Sequence, residues 1–242
     1  MCVGINAELA AAGHHVICAD LDGEAAEAAA QRVRDQGGSA SAYELDVTDP
    51  ESVDRLHARI TEDLGTIDVL INAAGILDRK YLTDHDDTSF QRVLDINLTG
   101  PFRMIQKFTP DLVEKGWGRI LNISSIAGTQ GYPYPSYAAS KAGLSNLTKS
   151  LLVDLWGTGV TINAICPGVV DTGMVIRQVR DQVQRMVPTE KIVDPAEIGA
   201  LAAFLITDAA RSINGADLLI DGGATQIFQL FNHKDAPQPP LA

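Results

Sequence analysis

Short apolar runs alternate along the chain with longer stretches in which apolar residues recur every three or four positions. Runs of strand length are Val16–Ala19, Ala40–Leu45, Val69–Ile71, Arg119–Ile123, Val160–Ile165 and Asp217–Ile220. The 3.6-residue period predicts helices over Glu24–Gln36, Pro50–Leu64, Gly100–Lys115, Ser136–Trp156 and Ala196–Leu205, with another near Ser89–Asn97. Gly37-Gly38 stops the first of these, and Asp49 is an N-cap for the second. Strand and helix in strict alternation predict an α/β fold, a doubly wound parallel sheet with helices on both faces. Asp171–Val193 has neither period and reads as an irregular lobe. No Pro/Gly/Ser linker divides the chain, so residues 1–225 read as one domain and 226–242 as a C-terminal extension. Its Pro-rich end, from Asp235, reads as disordered.

One constellation carries chemistry. Tyr137 and Lys141 are four residues apart in a predicted helix, hence on one face, and Ser125 precedes the tyrosine by twelve positions. An ammonium beside a phenol favours the phenolate and draws its pKa down toward neutrality, where tyrosine can serve as acid and base. Alone, the pair could equally be two surface residues of an Ala-rich helix. The neighbouring motifs decide the matter: Asn72-Ala73-Ala74-Gly75 after one strand, Asp95-Ile96-Asn97, Asn122-Ile123-Ser124-Ser125 after another, then Cys166-Pro167-Gly168 and Asp221-Gly222-Gly223.

In that order the motifs resemble the short-chain dehydrogenase/reductase family over nearly the whole chain. The resemblance implies a Rossmann-type fold and hydride exchange between a secondary alcohol or ketone and a nicotinamide dinucleotide. It implies a catalytic set of Asn97, Ser125, Tyr137 and Lys141. Tyr137 is then the acid/base on the substrate oxygen, Ser125 its hydrogen-bonding partner, and Lys141 the group that tunes the phenol and meets the nicotinamide ribose. Asn97 kinks its helix and holds a water leading from Lys141 to solvent. The family spacing from serine to tyrosine is one longer, so Ser124 stays open as an alternative. Cofactor contacts implied in the same way are Asp20 at the ribose, Asp46 and Val47 at the adenine, and Asn72, Ala73 and Gly75 along the backbone. Tyr137, Lys141, Pro167, Gly168, Val170 and Thr172 follow at the nicotinamide end. Asp20 followed by Leu21-Asp22 offers a carboxylate and no cation for a 2′-phosphate, which predicts NAD over NADP.

The start departs from the pattern. The family opens with a strand and a turn of the form TGxxxGxG, whose amides meet the pyrophosphate. Here Met1 and Cys2 fall on the last two turn positions, and Gly4 falls inside the following helix. The chain therefore reads as shortened relative to its family, with an unfilled place between the strands of Val16 and Val69. Ile227-Phe228-Gln229-Leu230-Phe231 is a strand-like candidate for that place, though packing on a partner subunit suits it better. The rival functional reading is a cofactor-impaired relative acting as a structural or regulatory subunit.

A formal charge of −12 argues against nucleic acid or an anionic membrane as partner. Cys2, Cys18 and Cys166 are too few and scattered for a disulfide framework or zinc site, and a reducing cytoplasm fits them. No metal is expected. Tyr132 and Tyr134 read as an aromatic lip, and Met174, Val175 and Ile176 as part of an apolar lid. By resemblance, the Gly100–Lys115 and Ser136–Trp156 helices pair across a two-fold axis, giving a homodimer or homotetramer.

Overall fold

A computed structural model of the protein describes residues 1–171 and 186–227. Thr172, the Met174–Ile176 lid and most of the Ile227–Phe231 run lie outside them. The chain opens with α1 (Cys2–Ala11), then β1 (His15–Asp20), α2 (Gly23–Asp35), β2 (Ser39–Glu44), α3 (Pro50–Leu64) and β3 (Val69–Asn72). It continues with α4 (Asp87–Leu94), α5 (Gly100–Lys115), β4 (Gly118–Ile123), α6 (Pro135–Ser150), β5 (Val160–Pro167), α7 (Pro195–Leu205) and β6 (Asp217–Ile220).

Helix starts follow the polar punctuation. Asp22 accepts from the amides of Glu24 and Ala25, and Asp49 from Glu51 with Pro50 in the first turn. Asp86 and Ser89 cap α4 reciprocally, as Asp194 and Glu197 cap α7. Helix α6 is shorter than its sequence pattern. It stops at Ser150, and irregular turns carry Leu151–Gly157 to a left-handed Gly157. The leucines that continue the apolar period pack there without regular helix.

All paired strands are parallel, in two groups: β1 with β2, and β3-β4-β5-β6 in that order. Strands β4 and β5 are buried along their whole length, because helices cover both faces. Their side chains alternate between two cores. Leu121, Ile123 and Ile165 join Ile5, Leu9, Ile198 and Leu205 on the α1/α7 side. Ile120, Val160 and Ile162 join Leu56, Ile60, Phe108 and Leu112 on the α3/α5 side.

Between the groups the sheet is interrupted. Among the described residues, β1 pairs only with β2 and β3 only with β4. Their facing edges border an open slot walled by Ile5 and Leu9 on one side and Leu56, Ile60 and Phe108 on the other. Gly4 belongs to a different contact. A Cβ there would overlap the Pro195 carbonyl, and one on Gly199 would overlap the Gly4 carbonyl. The two glycines let α1 and α7 cross backbone to backbone.

Candidate active site

The segments after the strand ends line a cleft of about 2470 Å3 that is continuous with the slot. Asp20 closes β1, Asp46 and Val47 follow β2, and Asn72, Ala73 and Gly75 lie at the end of β3. Ser125 follows β4, Gly168 and Val170 follow β5, and Tyr137 and Lys141 enter from α6; all line the cleft. Carboxyl ends of parallel strands are where an open α/β sheet binds ligands. Pro167 sits within β5 and is not part of the lining. Asn97 is wholly buried behind the wall.

The two candidate serines separate. Ser124 is tied into packing: its hydroxyl donates to the Lys141 carbonyl at 3.0 Å and lies 3.0 Å from the Ser145 hydroxyl. The Ser125 hydroxyl is near enough to the Tyr137 phenol to favour its ionised form, and its oxygen accepts from the Ala127 amide at 3.1 Å.

Lys141 is 5% exposed, and its Nζ donates to the Ile123 carbonyl at 2.7 Å. Burial lowers its pKa to about 8, weakly opposed by Cys166. The Nζ stands 5.8 Å from the centre of the Tyr137 ring. Burial pushes the Tyr137 phenol up; the nearby Ser125 hydroxyl opposes this and Tyr132 adds to it. The downward pull expected from the four-residue spacing is thus not realised here. The ammonium is aimed at a backbone carbonyl, and its own charge is weakened by burial.

Asn97 lies in a five-residue π-helical turn, Asp95–Thr99, between α4 and α5. Such turns recur at functional sites because they re-aim one side chain. Its Nδ2 donates to the Ile76 carbonyl at 2.9 Å and its Oδ1 accepts from the Ile76 amide at 2.8 Å. A third bond runs from Nδ2 to Ser140 Oγ at 3.1 Å. Asn97 therefore clamps the loop after β3 to α6. A Cβ on Gly75 would lie 3.3 Å from Asn97 Oδ1 and 3.5 Å from Lys141 Nζ, so bare backbone there keeps the cleft wall open.

Asn72 lines the cleft, and its side chain reaches into the core behind it. It donates to Asn122 Oδ1 at 2.8 Å; Asn122 donates to Thr148 Oγ1 at 2.9 Å, and Thr148 to the Leu144 carbonyl at 2.9 Å. This buried line locks β3, β4 and α6 in register. Asp46 caps its own turn, accepting from the Thr48 amide and hydroxyl, which holds its carboxyl below the usual range. Asp20 is exposed and accepts from the Asp22 amide at 3.1 Å. Val47 packs on Gly100, and its carbonyl accepts from Arg103 at 3.2 Å. Among the described residues no group of His, Cys, Asp or Glu is placed to hold a metal ion.

The enoyl-(acyl carrier protein) reductase family profile matches residues 1–225. The chain belongs to the short-chain dehydrogenase/reductase family. It is 36% identical over 236 residues to D-threitol dehydrogenase of Mycolicibacterium smegmatis, spanning 92% of this chain and 89% of that protein. It is 37% identical over 224 residues to cis-4-hydroxycyclohexanecarboxylate dehydrogenase of Sinomonas cyclohexanicum, 90% of each. A gluconate 5-dehydrogenase from Burkholderia cenocepacia, solved with NADP and tartrate, superposes with a TM-score of 0.88 at 28% identity. That match covers 93% of this chain and 91% of the other. The structural likeness fits the Rossmann-type architecture described above.

This family uses nicotinamide cofactors, and the residues present suit one at both ends. The bare Gly75 backbone beside Lys141 admits a flat group and a ribose, and the Asp20 carboxylate suits ribose hydroxyls. Between them stand Met1 and Cys2, where α1 begins. A helix start favours an anion there. Sequence reasoning missed Ser140 and Ile76 as the partners of Asn97. The buried serine one residue before Lys141 was the available signal.

Proposed function

We propose that the chain is an NAD(H)-dependent oxidoreductase interconverting a secondary alcohol and a ketone. The observation that carries this is the convergence of Tyr137, Ser125 and Lys141 at one end of the cleft, with Asn97 fixing the wall behind them. A purely structural or regulatory subunit has no use for a buried lysine grouped with a tyrosine and a serine on a cleft wall. The relatives' names, polyol and ring-alcohol dehydrogenases among them, support the same reading.

The nicotinamide, when bound, supplies the hydride acceptor or donor. The chain's residues handle the proton and the geometry. The Ser125 hydroxyl and Tyr137 Oη together hold the substrate oxygen. In oxidation Tyr137 takes the proton of the alcohol as its own phenol proton leaves toward Lys141 and solvent; in reduction the same transfers run in reverse. Lys141, with a pKa of about 8, can pass a proton near neutrality. Asn97 supports it by fixing the Ile76 loop and Ser140, with a water continuing the path to solvent. Asp20, Asp46 and Val47 hold the adenosine side, the backbone of Asn72, Ala73 and Gly75 runs along the cofactor toward Lys141, and Gly168, Val170 and Thr172 hold the nicotinamide side. Asp20 gives the preference for NAD. A cytoplasmic location and a closed homodimer or homotetramer complete the proposal.

Tyr137→Phe tests it. Turnover should fall at least about a hundredfold, the usual contribution of a positioned acid/base, while NADH affinity by fluorescence titration stays within threefold. Activity near wild type removes Tyr137 from its role. No saturable NADH binding at millimolar concentration would favour the subunit reading.

A further inference from the structure

Beside Tyr137 the cleft carries a row of tyrosines that proton transfer does not require. The rings of Tyr137 and Tyr132 are 6.0 Å apart between centroids and tilted by 50°. Tyr132 and Tyr134 follow at 5.7 Å, edge to face at 71°, and Tyr134 and Tyr81 at 5.7 Å and 54°. Two distant segments build this row, Tyr132–Tyr137 ahead of and into α6, and Tyr81 ahead of the short 3-10 turn Leu82–Asp84. Tyr132 and Tyr134 line the cleft with Tyr137, and Tyr81, 55% exposed, carries the row to the rim. Successive tilted contacts hold each ring against the next, so the wall is formed before a ligand arrives.

The wall has two kinds of surface. Ring faces and edges favour close packing with C–H groups. The hydroxyls of Tyr81, Tyr132 and Tyr134 have no hydrogen-bond partner among the described residues, and each can donate or accept. Burial raises the pKa of Tyr132, so its hydroxyl stays protonated through neutral pH. The reacting carbon of a secondary alcohol is tetrahedral, so where it is itself a ring member that ring is not aromatic and presents C–H groups to the wall. With the reacting oxygen at Tyr137, that frame lies along Tyr132 and Tyr134.

We infer that this wall selects a saturated carbocycle carrying a second hydroxyl beside the one that reacts, an alicyclic diol. The C–H face of the ring packs on Tyr132 and Tyr134, and a phenol hydroxyl pairs with the second alcohol. This rests on the oxidoreductase reading for the reaction itself. A bound oxidised nicotinamide would take the C–H hydrogen as hydride, and the O–H proton passes to Tyr137 as its own phenol proton leaves toward Lys141 and solvent.

The test compares trans-1,2-cyclohexanediol, cyclohexanol and open-chain 2,3-hexanediol as substrates of the purified chain with NAD. The cyclic diol should exceed the open-chain diol by about tenfold or more in kcat/KM, the range that shape selection in a pocket gives. Tyr132→Ala should cut that ratio below about threefold. Tyr132→Phe or Tyr134→Phe should keep the ring preference and remove the preference for the diol over cyclohexanol. A wild-type ratio under threefold, or one unchanged in Tyr132→Ala, overturns the proposal. Survival of the diol preference in both phenylalanine variants also overturns it. Saturation-transfer NMR with the same alcohols, on the Tyr137→Phe protein, reads binding without turnover. Ring binding that Tyr132→Ala abolishes, in a protein that oxidises no alcohol, would sink the reaction and leave the wall standing.

Discussion

Lys141 Nζ donates to the carbonyl oxygen of Ile123 at 2.7 Å, across the junction of α6 and β4. That bond decides where the ammonium lies, so it does not offset the burial that raises the Tyr137 phenol. Ile123 is the last residue of β4, so the lysine reads the strand end that also delivers Ser125. A single contact thereby aligns the proton-handling groups of strand and helix.

A buried lysine with no carboxylate partner costs stability. Its pKa falls from 10.5 to about 8, worth about 3 kcal/mol. The unfolded chain holds this proton more tightly, so folding is opposed in full below pH 8. The penalty fades as pH rises from about 8 to 10.5. Lys141→Met removes it but leaves the Ile123 carbonyl unpaired, at about 1 kcal/mol. The variant should be more stable than wild type by about 2 kcal/mol at pH 7, and slightly less stable above pH 10.5. Urea melts across this range check it, and a pH-independent difference would refute the buried charge.

Asp20 ends β1 facing the cleft, where a 2′-phosphate would meet its charge. One charge pair at 4 Å in water is worth about 1 kcal/mol, so a phosphate dianion costs about tenfold or more in affinity. Asp20→Ala should narrow the preference for NAD over NADP by that factor, read from Kd values for both cofactors. An unchanged ratio would move cofactor choice to another residue.

Much of this was legible from residues alone. The alternation of short apolar runs with stretches of period 3.6 located every described strand, because burial on both faces makes the strands continuously apolar. Tyr137, Lys141 and Ser125 were legible because helix spacing and a strand end fix their relation locally. The Asn72–Asn122–Thr148 line was not, since it depends on strand neighbours fifty residues apart finding one register. The direction of the Lys141 ammonium was hidden for the same reason. Helix α6 was overextended by following leucines past Ser150, where tertiary packing replaces helical hydrogen bonding. Gly4 was recognised as lying within a helix, but its contact with α7 needed the fold.

Several large apolar side chains on the faces proposed to pair across a two-fold axis are open to solvent. Phe102 is 39% exposed and Val113 37% on α5, while Val153 and Trp156 after α6 are 79% and 88% exposed. Such a patch marks an interaction surface. Light scattering should give a dimer or tetramer at micromolar concentration, and Phe102→Glu should shift it toward monomer. An active monomer would show that these side chains serve another purpose.

The interrupted sheet predicts a protection pattern. Backbone amides paired on both sides exchange only through large openings, whereas unpaired edge amides are open to water. Among the described residues, strands β4 and β5 have neighbours on both sides, and β1 and β3 each have one. Amides of Ile17, Ala19 or their neighbours that face the slot should exchange at least about a hundredfold faster than those of Ile120 and Ile162. That corresponds to an opening free energy lower by about 3 kcal/mol. The β3 amides facing the slot should behave alike. Equal protection of β1, β3, β4 and β5, measured by hydrogen exchange with NMR or mass spectrometry, would show that the facing edges are paired in solution.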